Sequence, residues 1–172
     1  MADFYGMART NYFKVDGTAE EIEALMAKFR LLNFTVEVTP AETSYGTKIE
    51  EDKIGKMLAY RVDQYPYFQG HIWVTDDNQE ELLDLFDLED FDDGEMEIDL
   101  VEEVGLQLAE GEVAMFGVYG HEKARYGSGH VQAVTKQDGK IHYYNCDAER
   151  HLRKVIAEEH GISEEDITFM EY

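Results

Sequence analysis

Six histidines and a single cysteine are the side chains best suited to bind a transition metal or to act as nucleophiles. They are His71, His121, His130, His142, His151, His160 and Cys146. Because the sequence has only one cysteine, it excludes a disulfide framework and a zinc cluster built from cysteines. Any metal site would therefore depend on histidines that the fold brings together.

A predicted β-hairpin tests whether His142 and Cys146 can share an ion. Asp138-Gly139 lies between two runs rich in β-forming residues and predicts a two-residue type I′ turn. The resulting register pairs Lys136 with Ile141, Thr135 with His142 and His130 with Asp147. His142 and Cys146 then lie on one face about 13 Å apart, whereas a zinc ion lies about 2.0–2.3 Å from each ligand. We expect no metal site in this hairpin.

The acidic stretch around Gly94 has the composition of a calcium-binding loop but not its pattern. With Gly94 at the sixth position of an EF-hand loop, Phe91 occupies the third position and Leu100 the twelfth. An EF-hand needs an oxygen ligand at both positions, so only weak, loosely organised cation binding is left open. Gly127-Ser-Gly129 likewise lacks the lysine and hydroxyl pair of a phosphate-binding loop.

Negative charge is the dominant property of the sequence. The 172 residues include 38 Asp and Glu against 15 Lys and Arg, a formal net charge of −23 at pH 7. A direct nucleic-acid binder needs a basic face, and docking on an anionic bilayer needs basic clusters, so both classes are disfavoured. A hydrophobic fraction of 44% is enough to build a core, and the length fits one domain over residues 1–172.

Most of the negative charge lies in residues 76–112, called the acidic segment below. It contains 17 Asp and Glu and no Lys or Arg, whereas residues 1–75 and 113–172 each carry a net −3. A disordered acidic tail would be terminal and poor in apolar residues. The acidic segment is internal, and its apolar residues include Leu82, Leu83, Leu85, Phe86, Leu88, Phe91, Ile98, Leu100 and Val101. The pattern predicts a folded acidic surface with an apolar back.

Fourteen carboxylates of the acidic segment are the candidate partner-binding residues. They are Asp77, Glu80, Glu81, Asp84, Asp87, Glu89, Asp90, Asp92, Asp93, Glu95, Glu97, Asp99, Glu102 and Glu103. Carboxylates at i and i+4 of a helix stand about 6 Å apart, and DNA phosphates recur about every 3.4 Å along each strand. A surface of this kind could occupy the basic nucleic-acid-binding site of another protein, such as a nuclease or a CRISPR component.

Local patterns outside the acidic segment predict a mixture of strands and helices. Thr18 and Glu21 have the capping-box spacing at the start of a helix whose apolar stripe extends to Phe29. The predicted strands are Tyr12–Val15, residues 34–38 ending at Pro40, Lys56–Val62, His71–Val74, and Val113–Tyr119 as a central strand covered on both faces. The apolar spacing of Ala148, Leu152, Val155 and Ile156 predicts a last helix, and Ile167–Met170 an edge strand.

The acidic segment and the aromatic residues before it complete the prediction. Asn78 is expected to cap a helix over residues 79–87, Asp90–Glu97 to form a polar loop, and Ile98 to begin a second helix that ends at Gly111. An aromatic cluster is predicted to lie in the core, with an exposed binding patch as the alternative; its members are Tyr65, Tyr67, Phe68 and Trp73. Because short turns join most neighbouring strands, we predict an α+β fold: a largely antiparallel sheet with three to four helices in a single compact domain.

Two short motifs carry a resemblance to a known group of proteins. Ala8-Arg-Thr-Asn-Tyr-Phe13 is similar to the opening of small acidic proteins of bacterial plasmids and phages, and Glu110-Gly-Glu-Val113 is similar to their later segment. The resemblance implies a setting in mobile elements, where anti-restriction and anti-CRISPR proteins mimic DNA. It implies no catalytic residues.

The predicted function is that of an acidic, non-enzymatic binding protein without a cofactor, which blocks a basic nucleic-acid-binding site on a host defence protein. The alternative is a regulatory or housekeeping interaction module whose acidity serves solubility. An enzyme that uses His142 or His121 with a nearby carboxylate is a third class. No apolar run approaches the roughly 20 residues that span a bilayer, so a cytoplasmic location is expected. A homodimer formed through an exposed edge at Ile167–Met170 is a further option.

Overall fold

A six-stranded antiparallel sheet forms the frame of the protein. The computed structural model describes residues 4–42, 49–64, 66–90, 94–122 and 126–147, together with Lys154, Glu158, Gly161 and Ser163. The elements are β1 (Phe4–Thr10), α1 (Ala19–Leu31), β2 (Thr35–Glu42), β3 (Ile49–Asp63), β4 (Gln69–Trp73), α2 (Gln79–Phe86), β5 (Glu95–Asp99), α3 (Leu100–Gln107), β6 (Val113–Glu122), β7 (Tyr126–Gln137) and β8 (Lys140–Asp147). The large sheet has the order β2-β3-β1-β6-β7-β8, and β4 pairs with β5 in a separate two-stranded sheet.

The predicted α+β class with a largely antiparallel sheet is confirmed. Every pairing within both sheets is antiparallel, and the described residues contain three helices. Lys154 and Glu158 are helical, whereas the other residues of the predicted last helix and the predicted strand Ile167–Met170 lie outside the described residues. None of the helices in the described ranges is long and apolar enough to cross a membrane.

The hydrophobic core lies on one side of the large sheet, called the core face below. Alternate residues of β1 and β6, including Ala8, Ala114 and Phe116, are buried. They form one cluster with Phe29 of α1 and Val104 of α3. Since side chains alternate between the two faces of a strand, both helices cover the same face of the sheet.

The capping box at the start of α1 is confirmed. The Thr18 hydroxyl accepts a hydrogen bond from the Glu21 backbone N–H, and the Glu21 carboxylate accepts one from the Thr18 N–H. The backbone N–H of Thr18, together with its hydroxyl, lowers the pKa of Glu21, because hydrogen bonds to the carboxylate stabilise its charged form.

The hairpin that joins β7 to β8 is confirmed in type and register. Asp138 and Gly139 both have positive φ angles, 51° and 70°, as a type I′ turn requires. The structure pairs Lys136 with Ile141, Thr135 with His142 and His130 with Asp147. The turn is held further by Glu110, whose carboxylate accepts hydrogen bonds from the N–H groups of both turn residues.

The predicted strand Tyr12–Val15 is wrong. The strand in this region is β1, and beyond it Phe13 and Val15 make only isolated bridges, to Met57 and Leu108. The residues of β1 that face the core are small, namely Gly6, Ala8 and Thr10, and the strand lies inside the sheet between β3 and β6. Its sequence therefore lacks the alternation of large apolar residues that marks a strand.

The predicted end of β2 at Pro40 is wrong. The strand continues to Glu42, and its register with β3 shifts on both sides of Pro40. An edge strand tolerates a proline at a bulge because no neighbour needs its missing N–H, and β2 is an edge strand. A Cβ atom at Gly55 of β3 would lie 2.4 Å from the Pro40 carbonyl oxygen, so glycine is the residue that fits opposite this bulge.

Two predictions about apolar residues are corrected by the exposure of their side chains. The central strand β6 is covered on one face only, because Val113, Met115 and Tyr119 are 45–49% exposed. In the predicted aromatic cluster, Phe68 is buried, but Tyr67 and Trp73 are exposed, and Tyr65 lies outside the described residues. Hydrophobic residue type alone did not reveal which faces the helices leave open.

Candidate functional site

The acidic segment folds into α2, β5 and α3 on the core-face side of the large sheet. Its apolar residues Leu82, Met96, Ile98 and Leu100 are buried in the same core as Phe116 of the sheet. The predicted apolar back is therefore present in the described part of the segment, and it fixes the carboxylates on the outside.

Helix α2 presents carboxylates to solvent along one side. Glu80, Glu81 and Asp84 are exposed, whereas Leu82 is buried. The helix ends at Asp87, which adopts a left-handed conformation with φ 51°, and the backbone N–H of Leu88 then bonds the Leu83 carbonyl. This geometry is a helix C-terminal cap without glycine.

Asn78 was predicted to cap α2, but its side chain makes no capping hydrogen bond to the helix. Its Oδ1 accepts a hydrogen bond of 2.7 Å from the Thr75 backbone N–H. Its Nδ2 donates to the Trp73 carbonyl oxygen. Asn78 has a helical backbone conformation, so its side chain closes the turn before the helix instead.

Strand β5 replaces the last three residues of the predicted polar loop, Glu95–Glu97, and the first two residues of the predicted second helix, Ile98 and Asp99. Met96 and Ile98 point into the core, while Glu95 and Glu97 point outward and are exposed. Pairing with β4 stabilises this short strand, and it sets Trp73 opposite Glu95. The prediction missed β5 because its outward positions are all acidic, which is unfavourable for a strand in isolation.

Asp99 has a structural function at the junction of β5 and α3. Its Oδ1 accepts hydrogen bonds from the backbone N–H groups of Val101 and Glu102, and its Oδ2 accepts one from the Gln69 side chain. Asp99 is thus the N-cap of α3, which begins at Leu100 and not at Ile98. The helix ends at Gln107, before the predicted end at Gly111, because Leu108 is extended and bridges to Val15.

Glu103 is the second candidate carboxylate that the fold itself uses. Its Oε2 lies 2.6 Å from the Nζ of Lys28, which is on α1, and both side chains are largely buried. The same Lys28 ammonium lies 4.6 Å from the ring centroid of Phe86 in α2. One lysine therefore connects all three described helices.

The fourteen candidate residues fall into three groups. The exposed ones are Asp77, Glu80, Glu81, Asp84, Asp87, Glu89, Asp90, Glu95, Glu97 and Glu102. Asp99 and Glu103 are partly buried and make the contacts given above, and Asp92 and Asp93 lie outside the described residues. Ten of the fourteen are thus exposed carboxylates, six of them on α2, β5 and α3 and four in the turns on either side of α2.

The electrostatic effect of these carboxylates is visible at Tyr143 of β8. Tyr143 lines a cleft of about 340 Å³ with Asp99, Glu102, Gln132 and Asn145. Its pKa is raised by burial and by the negative charges of Glu102 and Asp99. The cleft extends the negative potential of the acidic segment to the edge of the large sheet.

Two exposed aromatic residues, Trp73 and Tyr143, lie beside the candidate carboxylates, and neither was predicted as a site residue. Trp73 is 69% exposed at the end of β4, and Tyr143 lines the cleft. The alternation of Gln69, His71 and Trp73 along β4 was the signal that could have placed Trp73 outward. His71 also lies in this row, 3.9 Å from the Glu95 carboxylate.

Replacing Asp99 tests its capping function. We expect Asp99→Ala to lower the free energy of unfolding by about 1 kcal/mol, because two N–H groups at the start of α3 lose their acceptor. Asp99→Asn should cost less than half of that, since asparagine caps a helix as well as aspartate does. Urea denaturation measures both values, and equal losses for the two variants would contradict the capping function.

Neither the described residues nor the comparisons with known proteins identify a metal centre. Within the described ranges, no group of three or more His, Cys, Asp or Glu side chains is arranged to hold a metal ion. Comparisons of the chain with protein-family models, with curated proteins and with solved structures found no significant match.

Proposed function

We propose that this protein is an acidic, non-enzymatic binding protein whose acidic segment occupies the basic nucleic-acid-binding site of another protein. The partner would be a host nuclease or CRISPR component, which makes the protein a DNA mimic of the anti-restriction or anti-CRISPR type carried by a mobile element. The observation that supports this proposal is the ten exposed carboxylates on α2, β5, α3 and their adjoining turns, in a segment without Lys or Arg.

The spacing of the carboxylates suits a surface that competes with DNA. Glu95 and Glu97 are two residues apart on β5, which corresponds to about 6.8 Å at 3.4 Å per residue. Two phosphates separated by two steps on one DNA strand differ by the same rise, about 6.8 Å along the helix axis. Glu80 and Asp84 are four residues apart on α2, which corresponds to about 6 Å.

The support beneath the carboxylates also matters for affinity. Leu82, Met96 and Ile98 anchor α2 and β5 in the core, so the charges are held in place before a partner binds. A preorganised surface loses less conformational entropy on association than a disordered acidic tail. Its field should speed encounter with a basic partner and weaken as the salt concentration rises.

A charge-neutralised variant tests the proposal. The segment variant carries Glu80→Gln, Glu81→Gln, Asp84→Asn and Glu97→Gln, and it leaves the structural Asp99 and Glu103 intact. We expect it to bind a captured partner at least 30-fold more weakly, at about 0.5–1 kcal/mol for each lost charge contact. Affinity capture from bacterial lysate with mass spectrometry identifies the partner, and titration at low and high salt measures the affinity.

A control variant of equal net charge separates mimicry from general acidity. It carries Asp16→Asn, Glu20→Gln, Glu42→Gln and Glu158→Gln, all at exposed positions outside the segment. Mimicry predicts that the control keeps the wild-type affinity and that duplex DNA competes for the captured partner. If both variants bind equally well, or if DNA does not compete, the acidity serves solubility as in a regulatory or housekeeping module.

A further inference from the structure

The large sheet has a second face that the described helices do not cover, called the open face below. Leu58 of β3 lies on this face but is buried, so the exposed area does not include it. Its apolar residues are 42–67% exposed, and they include Met7, Val62, Val113, Met115, Tyr119 and Tyr144. The pairings Met7↔Val62 and Met7↔Tyr119 show that neighbouring strands contribute to the same face. Contiguous apolar surface of this kind is unusual on a monomer and marks an interaction site.

The centre of the open face is flattened by one tyrosine. A Cβ atom at Gly117 would lie 2.6–2.9 Å from the ring atoms of Tyr119, and one at Gly129 would lie 3.6 Å from the same ring. The Tyr119 ring therefore lies across β6 and β7, in space that the two glycines leave free. A flat face with outward-facing rings suits packing against another sheet, at a separation of about 10 Å.

The charge of the open face points to a second copy of the chain as its occupant. Its charged side chains in the described strands include Arg9, Lys56, Lys140 and the carboxylate Glu37, and the Lys56 ammonium lies 3.9 Å from the Glu112 carboxylate. The acidic segment packs on the opposite side, through the core. The open face lacks the concentrated negative charge of the acidic segment, so two copies that meet through their open faces keep their acidic segments, and most of the net charge of −23, apart.

The size of the open face is sufficient for a dimer. Six strands at about 4.8 Å spacing give a width of about 24 Å, and the seven residues of β1 give a length of about 24 Å. The flat area is thus roughly 600 Å², and the side chains that project from the sheet add to the accessible surface. Stable interfaces bury about 800 Å² on each partner, so the face is of the right order.

We propose that the open face is the interface of a homodimer with two-fold symmetry, in which two six-stranded sheets pack face to face. In such an interface each copy contributes the same patch, here centred on Met115 and Tyr119. The dimer would carry its two acidic segments on opposite outer sides. This interface is distinct from a pairing of strand edges, and it does not depend on the function proposed above.

Met115→Lys tests the interface with a matched control. The variant places a charge at the centre of the face, and it lowers the net negative charge, so general repulsion does not explain a loss of dimer. Leu106→Lys makes the same change on α3, where Leu106 is 60% exposed. Sedimentation velocity at about 100 µM, well above a micromolar Kd, should give twice the 19.8 kDa chain mass for the wild type and for Leu106→Lys.

We expect Met115→Lys to sediment as a monomer with an unchanged circular dichroism spectrum. If this variant does not fold, Val62→Lys, at a position 67% exposed, takes its place. A wild type that is monomeric at this concentration overturns the proposal, whether residues 148–172 or a different protein covers the face. If Met115→Lys or Val62→Lys remains dimeric, the proposal is also overturned, because the two copies then associate through a surface other than the open face.

Discussion

Phe116→Ala is expected to lower the free energy of unfolding by about 3–5 kcal/mol, the usual cost of removing a buried phenylalanine ring. Phe116 is 1% exposed on β6. Its ring centroid lies 5.0 Å from that of Phe68 in an edge-to-face arrangement and 6.4 Å from that of Phe13. Phe68 in turn stacks on Phe34. The substitution would therefore leave a cavity between the sheet and the segment that leads into β4.

Urea denaturation followed by circular dichroism measures this effect. With a slope near 2 kcal/mol per M, the midpoint should fall by roughly 1.5–2.5 M. Leu106→Ala is the control, because this exposed side chain on α3 should change stability by no more than about 0.5 kcal/mol. The loss of unfolding free energy for Phe116→Leu should lie between those for Phe116→Ala and Leu106→Ala, since leucine fills part of the space of the phenylalanine ring. A loss below about 1 kcal/mol for Phe116→Ala would show that the ring does not support the core.

The parts of the fold that the sequence predicted well are those fixed by neighbouring residues. Asp138-Gly139 determines the type I′ turn, and the turn then determines the register of β7 and β8. Thr18 and Glu21 determine the start of α1 by bonding each other's backbone. In each case the decisive interactions span only a few residues, so a local pattern carries them.

The parts that the sequence did not predict depend on contacts between distant residues. β1 is a strand because β3 and β6 pair with it on both sides, and β5 is a strand because β4 supplies its partner. Pro40 is tolerated because β2 is at the sheet edge and Gly55 fits beneath the bulge. Position in the sheet decided these elements, and residue type alone does not report that position.

The candidate site shows the same division. Counting charges located the acidic segment, and alternation with leucines indicated which carboxylates face solvent. Nothing local distinguished Glu103, because its partner is Lys28 of α1. Asp99 caps α3 through the nearby N–H groups of Val101 and Glu102, but the predicted helix start at Ile98 concealed this function, and its contact with Gln69 of β4 is not local. These two residues hold the segment in place, and neutralising them would confuse a loss of binding with a loss of stability.

Removal of the Lys28 side chain is the second prediction with a large effect. We expect Lys28→Ala to lower the free energy of unfolding by about 2–3 kcal/mol. Removing one partner of a fully buried ion pair costs about 3–5 kcal/mol, but the Glu103 side chain is 20% exposed and can regain part of its hydration. The variant also loses the contact between the ammonium group and the Phe86 ring.

A double-mutant cycle separates the ion pair from the packing of the lysine stem. Lys28→Met keeps an apolar stem against Phe86 and leaves Glu103 without its cation, so it should destabilise the protein less than Lys28→Ala does. Lys28→Met combined with Glu103→Leu removes both charges, and it should recover most of the wild-type stability. Urea denaturation of the wild type, Lys28→Met, Glu103→Leu and the double variant should give a coupling energy of about 1–3 kcal/mol, and a value below about 0.5 kcal/mol would contradict the pair's importance.

The same lysine separates stability from recognition. Lys28→Met leaves every carboxylate of the acidic segment in place and removes the ammonium that neutralises Glu103. If the exposed carboxylates bind a basic partner through their charge, this variant should bind at least as tightly as the wild type at temperatures where it is folded, although it is less stable. A loss of binding parallel to the loss of stability would show that recognition depends on how α1 holds α2 and α3. The surface charge would then not be sufficient by itself for binding the partner.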